Sequence, residues 1–200
     1  MIGLLYLGFF AAYLWLSVFL TKWAARQAKK RGIASWKWGL PMGLIMYNLV
    51  FWDWLPLEIT YRYDCSHYAG FTQNQTLAQW KKENPGVAET LRPSKDLHST
   101  REGNRERYVL NQRFAWDIRY TPHWFHIQER DERIVDLKTG EVLARYVDFS
   151  TDIQGVEVGS DKTISDYKIW LGKGSCEPEG GKINRINFYR FKHQLQDTGG

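Results

Sequence analysis

Hydrophobic residues are concentrated in two long runs at the start of the chain. Residues 2–20 contain no charged side chain, and residues 38–57 contain one, Asp53, near the end of the run. A helix over 2–20 spans roughly 28 Å, close to the thickness of a bilayer's hydrocarbon core. Neither run has the polar face of a helix at a soluble surface. The pattern predicts two transmembrane helices, with Pro41 in the first turn of the second and Pro56 at its exit.

A secretory signal peptide is the alternative for the first run. The run is long for that class, no basic segment precedes it, and no clear A-x-A-like cleavage site follows it. Tryptophan rings collect at membrane surfaces. Five of the ten tryptophans flank the two runs: Trp23, Trp36, Trp38, Trp52 and Trp54. Their positions favour retained spans.

Residues 21–37 connect the two runs and carry charge of one sign. The six basic residues are Lys22, Arg26, Lys29, Lys30, Arg31 and Lys37. Short loops rich in Lys and Arg stay in the cytoplasm. We therefore predict a transmembrane hairpin over residues 1–59. In a Gram-negative bacterium the protein would be a multi-pass inner-membrane protein whose soluble domain, residues 60–200, lies in the periplasm.

The soluble domain begins with helical and irregular patterns. Residues 57–65 fit either a helix or a strand, and Gly70 ends that element. Thr76 and Gln79 match a capping box, which predicts a short helix over 77–83. Asn84-Pro85-Gly86 then ends that helix. The polar residues 92–107 predict an exposed loop.

Strands dominate the remainder. Aromatic and β-branched residues predict strands over 108–112, 114–120, 124–129 and 164–171. Residues 134–137 and 141–149 predict a hairpin, with Gly140 supplying a positive φ. Residues 172–181 form a glycine-rich turn region, and 183–195 fit a strand or a short helix. The fold class is a membrane-anchored α+β protein: a two-helix hairpin, then a small, mainly antiparallel sheet with one or two short helices.

The charge of the soluble domain limits the classes of partner that it can bind. Residues 60–200 carry 21 Lys and Arg against 20 Asp and Glu, without the basic excess of a nucleic-acid-binding domain. The lipid bilayer and a protein partner in the envelope are therefore expected, and nucleic acid is not.

Cys65 and Cys176 are the two cysteines. In an oxidising compartment such a pair predicts one disulfide, although two unrelated buried thiols remain the alternative.

Motifs for chemistry are sparse. His123 and His126 would point to opposite faces of a strand, and no Cys or carboxylate cluster completes a metal site. Ser66 and His67 are adjacent, whereas triad members meet across a fold. Residues 172–174, Gly-Lys-Gly, lack the order of a phosphate-binding loop. We therefore expect no catalytic residues, no metal and no cofactor.

Asp53 and two small-residue patterns lie in the predicted membrane segments. A carboxylate in a span is a functional candidate by default, and the interfacial position of Asp53 is the simpler interpretation. Gly39-x-x-x-Gly43 and Gly8-x-x-x-Ala12 permit close helix approach. They indicate either packing of the two spans against each other or a homo-oligomer.

Several short motifs resemble a family of short bacterial two-span inner-membrane proteins. They are Phe51-Trp-Asp-Trp-Leu-Pro56, Tyr63-Asp-Cys65, Ala69-Gly70, Thr76, Gln79-Trp80, Asn84-Pro85-Gly86 and the segment 141–149. The resemblance covers most of the chain. It implies a bacterial inner-membrane setting and transfers no catalytic residues.

The sequence leads to three functional hypotheses. The first is a membrane-anchored periplasmic interaction domain without enzymatic activity, an accessory subunit of an envelope complex. The second is a periplasmic hydrolase, which a cleft holding His67 or His126 beside a carboxylate and a nucleophile would favour. The third is a small transport or channel subunit that uses Asp53.

Overall fold

The computed structural model describes residues 2–94, 99–151, 168–176 and 179–198. The chain forms two compact units, Met1–Leu55 and Pro56–Gly200. The first contains the helices α1 (Ile2–Lys30) and α2 (Trp36–Phe51). The second contains most of helix α3 (Trp54–His67), helices α4 (Leu77–Glu83) and α5 (Glu179–Gln196), and a six-stranded sheet.

The first helix is longer than predicted. It continues past residue 20 through an alanine-rich, basic stretch of good helix formers and ends just before Gly32, whose φ is 72°. The Ile33 N–H donates to the Ala28 carbonyl (3.0 Å), and the Gly32 N–H donates to the Lys29 carbonyl (3.1 Å). These bonds form a Schellman motif. The basic connection predicted over 21–37 is therefore a short turn between Lys30 and Trp36, and four of its six cations lie on α1.

The two glycines of α2 face α1. A Cβ placed on Gly39 would lie 3.3 Å from the Cβ of Ala25, and one on Gly43 would lie 3.7 Å from the Thr21 hydroxyl oxygen. Small residues at these positions let two helix backbones approach closely. A Cβ on Gly8 would meet nothing within 4 Å. The sequence predicted that the small residues serve either packing between the two helices or formation of a homo-oligomer. For Gly39 and Gly43 the structure shows packing between the two helices.

The structure divides the second hydrophobic run, predicted as one span over 38–57. Helix α2 ends at Phe51, and α3 begins after the turn at Trp52 and Asp53. The 16 residues of α2 reach about 24 Å, short of a hydrocarbon core of about 30 Å. Pro56 lies in the first turn of α3, where its missing N–H breaks no helical bond, so it does not end a helix as predicted.

One described helix is long and apolar enough to cross a membrane. It is the segment Tyr6–Lys30 of α1, and it qualifies by length and composition. Its position near the N-terminus is also where a signal sequence lies. The structure therefore contains one candidate span in its described part, and a second span is not shown.

Residues 57–65, which fitted a helix or a strand, belong to helix α3. Helix α4 has the predicted bounds because Thr76 forms the expected capping box. The Thr76 hydroxyl oxygen accepts the Gln79 N–H (3.2 Å), and the Gln79 side chain accepts the Thr76 N–H (2.9 Å). Asn84 ends α4, and its N–H donates to the Trp80 carbonyl (2.9 Å).

The sheet is entirely antiparallel. Its strands are β1 (Gly70–Gln73), β2 (Ser99–Glu102), β3 (Arg105–Val109), β4 (Phe114–Pro122), β5 (Ile127–Asp136) and β6 (Val142–Thr151), in the order β1-β6-β5-β4-β3-β2. The hairpin predicted around Gly140 is β5–β6, with Gly140 at φ 76° and a register shift at Ile134/Val135. The antiparallel α+β architecture is confirmed.

Five predicted elements differ from the structure. The strand predicted over 108–112 corresponds to β3, which ends at Val109. Part of the expected loop 92–107 is the β2–β3 hairpin, which turns at Gly103 with φ 61°. Residues 124–126 form a 3₁₀ turn rather than the start of a strand. Residues 183–195 lie in α5, whose 18 residues exceed the short helix expected. Of the predicted strand 164–171, residues 164–167 lie outside the described residues, and Ile169–Leu171 is a 3₁₀ turn.

The main core lies on one face of the sheet, the inner face, which carries Phe114, Ile134 and Tyr146. Helices α4 and α5 cover it through Trp80, Phe188 and other buried residues. On the opposite, outer face, Tyr61 and Cys65 of α3, and Ala69 just after it, pack against Ile127, Val147 and Phe149. The rest of the outer face carries charged side chains. The second unit is therefore a sheet with helices on both sides, and α3 covers one end of the outer side.

Candidate functional site

A cavity of about 410 Å³ opens between β6 and the first turns of α5. Its lining comprises Tyr146 of β6, Ser175 and Cys176 of the segment before α5, and Lys182, Arg185, Ile186 and Tyr189 of α5. The α5 residues share one helix face because they are spaced three or four positions apart. Lys182 and Arg185 are solvent-exposed, whereas Tyr146 is 3% exposed. The cavity thus has an aromatic interior and a cationic rim.

A buried ion-pair network continues the interior of this cavity. Glu132 of β5 is fully buried, and its carboxylate accepts a hydrogen bond from the Trp116 indole N–H (2.8 Å). The Tyr189 hydroxyl donates to the same carboxylate (3.3 Å), and Arg130 Nε lies 3.0 Å from Oε1. Lys192 Nζ lies 4.2 Å from the centre of the Trp116 ring. Paired in this way, the charges are tolerated in the core.

Burial determines the protonation behaviour of the cavity. It raises the pKa of Glu132 and of Tyr189 and lowers that of Lys192, because each charged form loses hydration. Burial also raises the pKa of Tyr146, and the negative charge of Asp148 adds to that effect. Both tyrosine hydroxyls therefore stay protonated at neutral pH.

The predicted disulfide is present. Cys65 of α3 and Cys176 are bonded, with Cα atoms 5.4 Å apart and a sequence separation of 111 residues. Cys176 is 5% exposed, and its N–H donates to the Asp148 carboxylate (2.8 Å). The bridge fastens α3 to the segment that lines the cavity. It therefore holds one wall of the cavity in place.

Asp53 lies outside the helix in which it was predicted. It occupies the turn between α2 and α3, directly before Trp54, and is 3% exposed. Aspartate is a preferred residue at the position that precedes a helix. Helix α2 ends at Phe51, so the apolar run that was predicted as one helix is divided at Trp52 and Asp53. A role of Asp53 in ion movement stays a hypothesis.

His126 is the last residue of a 3₁₀ turn and His123 directly precedes that turn, so neither histidine lies in a strand. Phe125 and His126 have positive φ values of 58° and 64°, which are uncommon for residues other than glycine. His123 Nε2 lies 2.9 Å from a Glu129 carboxylate oxygen. In the described ranges, no group of three or more His, Cys, Asp or Glu side chains is arranged to hold a metal ion.

The side chains of Ser66 and His67 lie within hydrogen-bond distance of each other. Ser66 Oγ lies 2.8 Å from His67 Nδ1, and both groups also contact the Tyr63 carbonyl, at 2.9 Å and 3.0 Å. These contacts belong to the last turn of α3, and both side chains are exposed. Among the described residues, no carboxylate is hydrogen-bonded to His67. The pair therefore lacks the orienting group of a catalytic triad.

Sequence reasoning identified Cys176 but missed the other cavity residues. The available signal was the run Arg130-Asp131-Glu132-Arg133 in β5. A strand with charged residues on both faces cannot pack against a core unless the inward charges are paired. That argument leads to a buried network around Glu132, although not to its partners.

Comparison with protein-family models, curated proteins and solved structures found no match for this chain. Its chemistry is therefore argued from its own residues.

Proposed function

We propose that the chain is a membrane-anchored periplasmic interaction domain without enzymatic activity, an accessory subunit of a bacterial envelope complex. The observation that carries this proposal is the cavity between β6 and α5. A partly apolar concavity with a few convergent polar groups and shifted pKa values is the usual form of a binding site. The cavity combines these features with tyrosine hydroxyls that are held protonated.

The lining supports a partner with an acidic group attached to an apolar body. Lys182 and Arg185 attract an anion at the rim, and the rings of Tyr146 and Tyr189 line the cavity further in. The side chain of Ile186, 49% exposed, offers an apolar contact. An acidic peptide segment of a protein partner has this chemistry.

The outward faces of the first unit support membrane anchoring. Leu7, Leu14 and Trp15 of α1 and Leu40 and Leu49 of α2 are each more than half exposed. Apolar side chains exposed on both helices favour a lipid environment. We propose that α2 inserts beside α1 as a short second span, with the basic turn between them in the cytoplasm. This topology puts the second unit in the periplasm.

A pair of reporters fused after Gly200 tests the topology. Alkaline phosphatase requires export for activity, and a cytoplasm-dependent fluorescent protein is its complement. The proposal expects phosphatase activity without fluorescence. The opposite result would place the second unit in the cytoplasm and remove the periplasmic assignment.

Site-specific variants test the cavity. The full chain is purified from membranes in mild detergent, and co-purifying proteins are compared by quantitative mass spectrometry. The double variant Lys182→Glu/Arg185→Glu reverses the charge of the rim. Arg190→Glu is the matched control, because Arg190 is an exposed α5 residue that does not line the cavity. A partner retained by the control and lost from the double variant supports the proposal, and equal recovery contradicts it.

A further inference from the structure

The open part of the outer face carries a cluster of arginines grouped around two aspartates. Asp117 of β4 accepts hydrogen bonds from Arg107 (2.6 and 2.9 Å) and from Arg105. Asp131 of β5 accepts hydrogen bonds from Arg145 (2.9 and 3.1 Å) and from Arg133. Each carboxylate is shared by two guanidinium groups. Each group of three side chains therefore keeps one excess positive charge.

A fifth arginine adds to this excess. Arg119 of β4 is exposed and makes no ion pair with any carboxylate in the described part of the chain. It lies between Arg105 on β3 and Asp131 on β5 in the sheet register. Asp131 is already engaged by two other arginines. Two more carboxylates flank the cluster: Glu102, opposite Arg105, and Glu129, 3.8 Å from Arg145.

Two like-charged pairs stand directly opposite each other on neighbouring strands. Arg105 faces Arg119 across β3 and β4, and Arg133 faces Arg145 across β5 and β6. Directly opposed like charges destabilise a sheet. Asp131 binds both Arg133 and Arg145. In the first pair, Arg105 shares Asp117 with Arg107, and Arg119 makes no ion pair with a described carboxylate. An anion bound between Arg105 and Arg119 would remove this repulsion.

The same residues surround a concavity that extends onto apolar surface. A cavity of about 320 Å³ is lined by Arg105, Arg107, Arg119, Arg133, Asp117 and Asp131, and it continues over Val135, Gly140 and Val142. Four guanidinium groups and two carboxylates thus lie beside a small aliphatic surface. Guanidinium groups match tetrahedral oxyanions because their planar fork donates two parallel hydrogen bonds.

We propose that this concavity is a binding site for a phosphate group, held between Arg105 and Arg119. It is separate from the cavity between β6 and α5, with which it shares no lining residue. The proposal is independent of membrane topology.

Calorimetric titration of the full chain in nonionic detergent, at constant ionic strength, tests the site. The probes are phenyl phosphate, inorganic phosphate and benzoate. We expect saturable binding of phenyl phosphate with 1:1 stoichiometry and at least tenfold weaker binding of benzoate, which carries a single charge. Equal affinity for inorganic phosphate would support the oxyanion site and assign it to the free anion. The absence of saturable binding of either phosphate probe would overturn the proposal.

Variants locate the bound probe. Arg119→Gln should weaken phenyl phosphate binding at least tenfold without loss of folding, because this exposed side chain makes no ion pair in the described structure. Arg190→Gln on α5 is the matched control and should change the affinity less than twofold. Arg185→Gln at the other cavity should also leave it unchanged. A tenfold loss with Arg185→Gln, and none with Arg119→Gln, would move the site to the other cavity and refute the proposal.

Discussion

Replacing Cys65 or Cys176 removes a crosslink between residues 111 positions apart. In the chain-entropy model a loop of that length stabilises the folded state by about 5 kcal/mol, mainly by restricting the unfolded chain. For a domain of this size each kcal/mol shifts the melting temperature by about 2–4 °C. Cys65→Ser and Cys176→Ser should therefore each lower Tm by roughly 10–20 °C.

The double variant separates a crosslink from two independent thiols. A single substitution already abolishes the bridge, so the double variant should cost little more than either single change. Thermal unfolding of the full chain is followed by circular dichroism in nonionic detergent, with and without reductant. Reductant should lower the Tm of the wild type towards that of the double variant and leave the variants unchanged. Additive losses in the single variants, or a wild type indifferent to reductant, would refute the reasoning.

Three other substitutions test particular contacts. Thr76→Ala removes the hydroxyl that caps α4 and should lower the free energy of unfolding by about 1 kcal/mol, whereas Thr76→Ser should retain most of it; urea titration measures both. Burial raises the pKa of Glu132 above its usual 4.5, so its favourable contribution is present below pH 4.5 and is lost as pH rises through the folded-state pKa. Glu132→Gln should therefore flatten this component of stability as the pH rises above 4.5, and an unchanged pH profile of urea midpoints would contradict it. Asp53→Asn should leave membrane abundance nearly unchanged in immunoblots, since Asp53 lies in a turn; loss of an ion-dependent phenotype would instead favour a relay.

Short sequence motifs predicted the elements whose backbone conformation depends on one or two residues. Gly140 and the flanking alternation defined the β5–β6 hairpin, and Thr76 with Gln79 defined the start of α4. The β2–β3 hairpin was missed because residues 99–107 show no alternation of apolar and polar positions: none of them except Gly103 is uncharged and non-polar. Its signal was Gly103-Asn104, a dipeptide that favours a two-residue turn.

Other features depend on contacts between distant residues. The break between α2 and α3 lies in a run whose one charged residue is Asp53, where Pro56 is compatible with either a helix end or a helix start. Tyr146 and Tyr189 line the same cavity although they are 43 positions apart in the chain. The sequence around each residue does not predict their proximity, because it depends on how α5 packs on the sheet.

The strand order has a consequence for how the protein is made. Strand β1 pairs with β6, whereas β2 to β5 each pair with a neighbour in sequence. During synthesis at about 5–20 residues per second, Cys176 leaves the ribosome roughly 6–22 seconds after Cys65. Throughout that interval the Cys65 thiol of α3 has no disulfide partner in its own chain, while the central hairpins can already close. Vectorial synthesis therefore leaves a period in which two nascent chains can crosslink through Cys65, and that period ends only when Cys176 emerges.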